Sequence, residues 1–376
     1  MRKAMNRKLI CKISGDPEQY EIEIGRDGGN LQTAYLKSQG SRFAIITDDK
    51  IAPLYGEKLR NSLASAGLEA HLFYFAAGEQ SKTRATKEFL ENGLFEKKLG
   101  RDTCVIALGG GVVTDIAGYL AATYCRGIPY VMMPTTLLGM VDASIGGKTG
   151  VNVPYGKNML GCIYQPKKVI IDLSFLKSLP SRELANGFVE IIKHGLIADG
   201  ALFEYLEMHC DRLLALDFDF LENVIFESCR IKKEIVEQDE REIGKRHLLN
   251  FGHTVGHALE HLTHYSVSHG EAVAIGLIVE SYLSLVSGVL DRESFDRIKK
   301  ILIRFGLPLR LPTRFPVQTI LDAMTLDKKS VGGQPRFVRI KGIGSPLVGG
   351  SDYCTQVEES LIKNTLHRMN DDLCCY

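Results

Sequence analysis

The chain has 376 residues, 45% hydrophobic and 24% charged, which is typical of a globular protein long enough for two domains. Its formal net charge is +1, so it lacks the basic field of most nucleic-acid-binding proteins, and no nucleic acid is expected as a partner. No apolar run approaches the roughly 20 residues of a membrane span, and no long apolar segment follows the basic N-terminal residues, so neither a membrane helix nor a signal peptide is expected.

The first half of the chain alternates short apolar runs with segments of helical periodicity. Residues 42–49 (RFAIITDD) end in acidic turn residues, and residues 103–111 (TCVIALGGG) form an apolar run that ends in glycines. The segment VVTDIAGYLAATY that follows has helical periodicity, and IPYVMMPTT and KKVIIDLS are two further apolar runs. Alternating strands and helices are typical of βαβ units, so we predict a parallel sheet.

After Pro180 the pattern changes to amphipathic and apolar helices. Five segments have helical periodicity: SRELANGFVEIIKHGLI, ALFEYLEMHCDRLLAL, FLENVIFESCRIKKEIVEQ, HTVGHALEHL and GEAVAIGLIVESYLSLVSGVL. We place a boundary in LKSLPSRE, near residues 175–182. The sequence thus predicts an α/β domain over residues 1–178 and an all-α domain over residues 179–376.

Five of the ten histidines lie in the single segment NFGHTVGHALEHLTHYSVSHGE, which begins at residue 250. His253 and His257 are four residues apart, so on a helix they share one face, which is a common arrangement for metal binding. The metalloprotease pattern HExxH needs glutamate directly after the first histidine, and Thr254 stands there. A metalloprotease of that type is therefore excluded.

His269 is predicted to lie in the first turn of a second helix, because Ser268 and Glu271 have the spacing of a capping box. A helix, a short turn and a second helix start can bring His253 and His269 together. A divalent metal between them would need a carboxylate, and Glu190 in GFVEIIKHG is the candidate. Two imidazoles and one carboxylate with a position left open are typical of catalytic zinc.

Simpler interpretations of these residues remain open. Glu190 could form an ordinary salt bridge to Lys193, one helical turn away. Histidine clusters are often partly exposed helix faces without a ligand, and we prefer that interpretation for His261 and His264.

Two glycine-rich segments suggest phosphate binding. LGGGVVTDIAG, from residue 108, follows a predicted strand and opens a helix, so its backbone could approach a pyrophosphate. Its spacing is not GxGxxG, and a tight turn is the alternative. GGKTG, from residue 146, resembles the end of a P-loop, but Asp142 stands where the first glycine is needed, so ATP or GTP binding is rejected. Two interpretations of Lys148 remain: a single cation that binds phosphate or carboxylate, or a solvated loop lysine.

The nine cysteines are scattered and form no CxxC pair. A disulfide framework or a structural zinc cluster would need tighter spacing. Reduced, mostly buried thiols in a cytoplasmic protein are expected instead.

Seven motifs, in order between residues 78 and 276, together resemble the 3-dehydroquinate synthases, a family of sugar phosphate cyclases. They are GEQSKT, GGGVVTDIAG, MPTTLLGMVDASIGGKTGVN, GKNMLG, LPSRELANGFVEIIKHG, LLNFGHTVGHALE and HGEAVAIG, and LDKKSVGG near residue 326 extends the match.

The resemblance implies an N-terminal Rossmann-like NAD-binding domain, a C-terminal α-helical metal-binding domain, an active site in the cleft between them and a homodimer. It implies conversion of 3-deoxy-D-arabino-heptulosonate 7-phosphate into 3-dehydroquinate and phosphate, in the shikimate pathway. The reaction that the resemblance implies runs through transient oxidation by NAD, phosphate elimination, reduction and intramolecular aldol closure. The implied metal is zinc, with cobalt as the alternative.

The resemblance also assigns residues to roles. Glu190, His253 and His269 match the metal ligands, and His257 matches a residue that faces the substrate phosphate. The matches for NAD are Asp48, Glu79, Lys82, Gly110, Gly111, Val112, Val113, Thr114, Asp115, Thr135, Thr136, Lys148, Lys157, Phe175, Leu176, Lys177 and Ser178. The matches for substrate are Arg126, Asp142, Lys148, Asn158, Lys193, Lys232, Arg246, Asn250, His257 and one lysine of the pair Lys328 and Lys329, with Lys329 taken as the candidate.

A substrate with a carboxylate and a phosphate explains why so many of the matched substrate residues are lysines and arginines. A metal-dependent polyol or glycerol dehydrogenase would need metal and NAD without those cations. Another sugar phosphate cyclase, such as 2-deoxy-scyllo-inosose synthase, would not need Arg246 for a carboxylate. A catalytically silent binding protein is the third alternative, and nothing in the sequence favours it.

Overall fold

The chain divides into two compact units, Met1–Pro180 and Ser181–Tyr376. The candidate Lys329, its neighbour Lys328 and two of the nine cysteines lie outside the described residues. The computed structural model describes residues 6–13, 19–26, 33–310, 314–325, 334–349 and 353–371.

The first unit alternates strands and helices in its described part. Its helices are α1 (Thr33–Gln39), α2 (Glu57–Ser65), α3 (Arg84–Glu96) and α4 (Gly111–Thr123). Its strands are β1 (Arg7–Lys12), β2 (Gln19–Gly25), β3 (Arg42–Asp48), β4 (Glu69–Phe75), β5 (Thr103–Gly109), β6 (Tyr130–Pro134), β7 (Lys148–Val153), β8 (Gly156–Ile163) and β9 (Lys168–Asp172).

Seven of these strands form one sheet in the order β1-β2-β9-β6-β5-β3-β4. Six of them pair in parallel, and β1 adds to the edge in antiparallel fashion. Every residue of β5, β6 and β9 is buried, because strands at the centre of a parallel sheet are covered on both faces. The α/β class predicted for this half is confirmed. The antiparallel hairpin of β7 and β8 was not predicted.

The second unit is built mainly of helices, as predicted. They are α5 (Ser181–Ala198), α6 (Gly200–Leu214), α7 (Phe218–Gln238), α8 (His253–Leu262), α9 (His269–Val286), α10 (Arg292–Arg304), α11 (Val317–Thr325) and α12 (Glu359–Asp371). Short strands that the sequence did not predict also occur: β10 (Arg336–Phe337), β11 (Ile340–Gly342), β12 (Ser345–Pro346) and β13 (Thr355–Gln356). They pair as β10 with β13 and β11 with β12.

Helix α9 is the centre of this unit, and α5, α8, α10 and α12 pack against it. By length and composition alone it is a helix that could cross a membrane. However, 78% of it is buried inside the protein, which is the arrangement of a core helix that is apolar on all sides.

Helices α8 and α9 approach each other through two glycines. A β-carbon added to Gly276 would lie 1.8 Å from the carbonyl oxygen of Gly252. Gly252 is the N-cap of α8 and has φ +80°, a conformation that favours glycine. Its N–H donates to the buried carboxylate of Glu280 on α9, at 2.9 Å. This crossing fixes the first residue of α8, which is His253.

Candidate functional site

Three helices of the second unit bring the predicted metal ligands together. Glu190 is a fully buried residue of α5, His253 begins α8 and His269 begins α9. The Nε2 atoms of both histidines lie 3.6 Å from the same oxygen, Oε1 of Glu190. One carboxylate oxygen and two imidazole nitrogens, all within 4.8 Å of one another, form a donor set that fits a divalent ion such as zinc.

The second ring nitrogen of each of these histidines faces a hydrogen-bond acceptor. Nδ1 of His253 lies 3.1 Å from the carbonyl oxygen of Phe251, and Nδ1 of His269 lies 3.4 Å from Oε2 of Glu260. Burial lowers the pKa of His269, but Glu260 and Glu190 outweigh that effect and raise it to about 10. The surroundings of the His269 ring therefore favour positive charge, as a cation-binding site requires.

The start of α9 is fixed to α5 by polar contacts. Ser268 and Glu271 form the predicted capping box, with the Ser268 N–H donating to Glu271 at 2.9 Å. Arg182 of α5 donates to both carboxylate oxygens of Glu271, at 2.8 and 2.6 Å. The Ser268 hydroxyl also donates to the side-chain oxygen of Asn186, at 2.7 Å. These contacts hold His269 on the same side as Glu190.

The simpler interpretation of Glu190 is also correct, since it forms an ion pair with Lys193. The pair uses Oε2 of Glu190, whereas Oε1 faces the two histidines. Lys193 is 1% exposed, so a buried cation lies beside the candidate metal position. The ion pair and the metal interpretation are therefore compatible.

His257 lies near the same two histidines, and its position alone does not distinguish a metal ligand from a residue that faces the substrate. Its ring centroid is 5.3 Å from that of His253 and 6.3 Å from that of His269. Its assignment to the substrate phosphate stays a prediction. His261 is exposed at the end of α8, and His264, which is also exposed, follows the helix with φ +48°.

Four of the residues predicted to bind substrate in this unit are buried. Besides Lys193, they are Lys232, Arg246 and Asn250, which are between 2% and 8% exposed, whereas His257 is half-buried. The carboxylate of Asp239 organises the segment before Arg246 by accepting from the N–H groups of residues 243, 244 and 246, at 2.8–3.0 Å. Burial opposes this effect, but those N–H groups hold the pKa of Asp239 below its usual value. Sequence reasoning missed Asp239, as it missed Glu242, which accepts from the Asn250 amide at 2.8 Å.

In the first unit the predicted phosphate loop joins β5 to α4. A β-carbon on Gly109 would lie 2.5 Å from a methyl carbon of Val113, and one on Gly110 would lie 3.1 Å from a methyl carbon of Thr136. Gly110 is the N-cap of α4, and the predicted residues from Gly111 onward form its first turn. The loop thus leaves a helix N-terminus without side chains, which suits a pyrophosphate.

Asn152 connects several predicted residues of this unit and was not identified from the sequence. Its amide donates to Oε1 of Glu79 at 2.8 Å, and its side-chain oxygen accepts from the Asn158 N–H at 3.0 Å. Its own N–H donates to the Lys82 carbonyl at 2.8 Å. Lys82 in turn forms an ion pair with Asp115, whose pKa burial raises although Lys82 opposes the change. Asn152 therefore links Glu79, Lys82 and Asn158, three residues that are predicted to bind NAD or substrate.

Replacing Asn152 by alanine is expected to raise the Kd for NAD by up to about 30-fold, because the two side-chain hydrogen bonds that hold Glu79 and the Asn158 backbone are lost, at about 1 kcal/mol each. Isothermal titration calorimetry with NAD measures this. Asn61→Ala, at an exposed position of α2, is the control and should bind NAD like the unchanged protein. Equal affinity of all three proteins would contradict the assignment.

The other predicted residues of this unit occupy strand ends and turns. Asp48 ends β3, and its carboxylate accepts from the N–H groups of residues 50 and 51, at 2.9 Å each. Residues 175–178 lie in a 3₁₀ segment, Leu173–Ser178, and Ser178 is 2.7 Å from the Tyr55 hydroxyl. Thr135 and Thr136 follow β6, and Asp142 lies in the π-helical segment Gly139–Ala143. Lys148 is exposed at the start of β7, and Nζ of Lys157 lies 3.5 Å from Oε1 of Glu79. Arg126 is exposed and has φ +68°.

Comparison with known proteins gives a consistent set of similarities. Models of the N-terminal and C-terminal parts of 3-dehydroquinate synthase match residues 72–186 and 187–330. A 3-dehydroquinate synthase of Desulforamulus reducens is 47% identical over 313 residues, which cover 82% of this chain and 87% of that protein.

Solved structures share the whole fold. A 2-epi-5-epi-valiolone synthase from Streptomyces hygroscopicus subsp. jinggangensis, with NAD+ and Zn2+ bound, is 31% identical with a TM-score of 0.86, covering 96% of this chain and 99% of that one. A 2-deoxy-scyllo-inosose synthase with carbaglucose-6-phosphate, NAD+ and Co2+ is 23% identical with a TM-score of 0.85, covering 97% and 99%. The second similarity shows the fold alone.

Proposed function

This chain belongs to the 3-dehydroquinate synthase family, and from that premise we propose that it converts 3-deoxy-D-arabino-heptulosonate 7-phosphate into 3-dehydroquinate and phosphate. The observation that carries the proposal is the convergence of both histidine Nε2 atoms on one Glu190 oxygen, at 3.6 Å each. The donor set suits zinc, with cobalt as the alternative.

A divalent ion and NAD, when bound, would supply the chemistry that side chains lack. A divalent ion would lower the pKa of a substrate hydroxyl, and NAD would accept a hydride and later return it. Glu190, His253 and His269 would hold the ion. The loop at Gly110 and Gly111 would hold the pyrophosphate, and Asp48, Glu79 and their neighbours would hold the riboses.

The buried cations have a separate task in this proposal. Arg246 presents a planar fork that suits the substrate carboxylate, and Lys193 and Lys232 add positive charge for the two anionic groups. Asn250 and His257 orient the phosphate for elimination, with the phosphate's own oxygen taking the proton. These residues then contribute by positioning more than by acid–base strength.

We further propose that the protein acts as a homodimer in the cytoplasm, with the sugar phosphate as its partner molecule and no nucleic acid or membrane involved. Cys104 and Cys229 have free thiols, as expected for a protein of a reducing compartment. Both thiols are buried, and burial raises the pKa of each to about 12, which makes them unreactive.

One assay tests the proposed reaction against its alternatives. The purified protein is supplied with zinc, NAD and the heptulosonate phosphate, and phosphate release and NADH absorbance are followed together. We expect phosphate and 3-dehydroquinate without accumulation of NADH, because the hydride is returned. Accumulating NADH with glycerol instead would indicate a polyol dehydrogenase. Turnover of glucose 6-phosphate, which has no carboxylate, would indicate an inosose synthase.

A further inference from the structure

We propose that Glu260 is a positioning residue for the metal site, holding the proton of His269 on Nδ1 so that Nε2 is left to bind the ion. The inference rests on the proposed function, since it assumes that Glu190, His253 and His269 are ligands. Glu260 itself does not touch the ion in this proposal.

The geometry places the His269 ring between two carboxylates. Oε2 of Glu260 lies 3.4 Å from Nδ1, and Oε1 of Glu190 lies 3.6 Å from Nε2. A neutral imidazole carries one proton, and only the nitrogen without it can bind a metal. A carboxylate at Nδ1 keeps the proton there, orients the ring and increases the electron density at Nε2.

The position of Glu260 follows from the helix that carries His253. The two residues are seven apart, or two turns of α8, so they lie on the same face. Glu260 is 2% exposed. A carboxylate removed from water in this way is costly unless it is paired with a donor, and the ring N–H of a metal-bound histidine is a strong one.

His253 provides an internal comparison. Its Nδ1 lies 3.1 Å from the Phe251 carbonyl, so the backbone orients that ring and no side chain is required. The two histidine ligands would thus be oriented by different means. A change at Glu260 should act on His269 and leave His253 as it is.

There is a rival role for Glu260. His257, Glu260 and His269 also have donor atoms within 4.8 Å of one another, so Glu260 could itself be a ligand. A ligand and a positioning residue differ in how much metal affinity is lost on substitution. Removing a partner of a ligand typically costs about 10- to 100-fold in metal affinity, whereas removing a ligand costs far more.

The experiment uses the full chain and measures zinc affinity by competition with a chromophoric chelator. We expect Glu260→Ala to bind zinc about 10- to 100-fold more weakly. Glu260→Gln, which keeps a neutral acceptor, should lose less, and His269→Ala should lose binding far beyond either. Glu293→Ala, on the exposed face of α10, is the control. Glu260→Gln also tests the idea if the alanine variant does not fold.

A spectroscopic measurement separates positioning from general destabilisation. In the cobalt-loaded protein, the ring N–H protons of ligating histidines give strongly shifted NMR signals. We expect Glu260→Gln to speed solvent exchange of one of these protons and to leave the other, from His253, unchanged.

Two results would overturn the inference. One is zinc affinity and proton exchange in both Glu260 variants equal to those of the unchanged protein. The other is loss of zinc by Glu260→Ala as complete as in His269→Ala, which would make Glu260 a ligand. Failure of the unchanged protein to bind zinc would instead contradict the proposed function, so the two failures can be distinguished.

Discussion

Replacing His253 by alanine is expected to strip the protein of zinc and to lower kcat by about 10³-fold or more, the equivalent of several kcal/mol of transition-state stabilisation. His253 supplies one of two nitrogens that lie 3.6 Å from the Glu190 oxygen, and one carboxylate with one imidazole forms a poor zinc site. Metal content by mass spectrometry and phosphate release by a colorimetric assay measure the two effects.

The matched variant is His257→Ala, one helical turn further along the same face of α8. We expect it to retain zinc and to lose about 10²-fold in kcat, because His257 is assigned to the substrate phosphate, which it would orient for elimination. Equal loss of zinc in both variants would show that His257 is a ligand and that its carried-over role is wrong. Full activity of His253→Ala without metal would contradict the metal site as a whole.

Replacing Gly276 by alanine is expected to destabilise the second unit by about 3 kcal/mol or more, because close-packed backbone cannot make room for a methyl group. The new carbon would lie 1.8 Å from the Gly252 carbonyl oxygen, well inside contact distance. Separating α8 from α9 would also lengthen the 2.9 Å hydrogen bond from the Gly252 N–H to Glu280. Urea unfolding monitored by circular dichroism measures the loss, and zinc affinity should fall with it.

Gly342→Ala is the control for this substitution. A β-carbon at Gly342 meets nothing within 4 Å, so its effect should stay within about 0.5 kcal/mol. If Gly276→Ala were as stable as Gly342→Ala, the helices could separate at little cost. The close crossing would then not be what fixes His253.

The parallel sheet was predictable because its strands have a strong local signature. Residues 104–109 and 169–171 are continuous apolar runs, which are typical of a strand buried on both faces. The hairpin of β7 and β8 has no such signature. Residues 156–163 mix lysine, asparagine, glycine and apolar residues without alternation, and Met159 and Leu160 are both exposed. Its pairing is therefore decided by contacts that a local pattern does not reveal.

The candidate site was predictable where a role depends on spacing along the chain. The start of α9 follows from the capping box of Ser268 and Glu271, which is a local pattern. The roles of Asn152 and Glu260 depend on which side chains the fold brings beside them. Asn152 meets Glu79 from 73 residues away, and Glu260 meets His269 only because α8 and α9 pack together. Neither contact could be derived from residue order alone.

The three predicted metal donors all come from helices of Ser181–Tyr376, and the contacts of Arg182 and Asn186 hold the start of α9 against α5. Assembly of the donor set therefore does not require the dinucleotide. We therefore expect the metal and NAD to bind in either order, so that protein lacking one of them still binds the other. Dialysis against a chelator would then yield a protein that retains nucleotide binding and is restored by added metal alone.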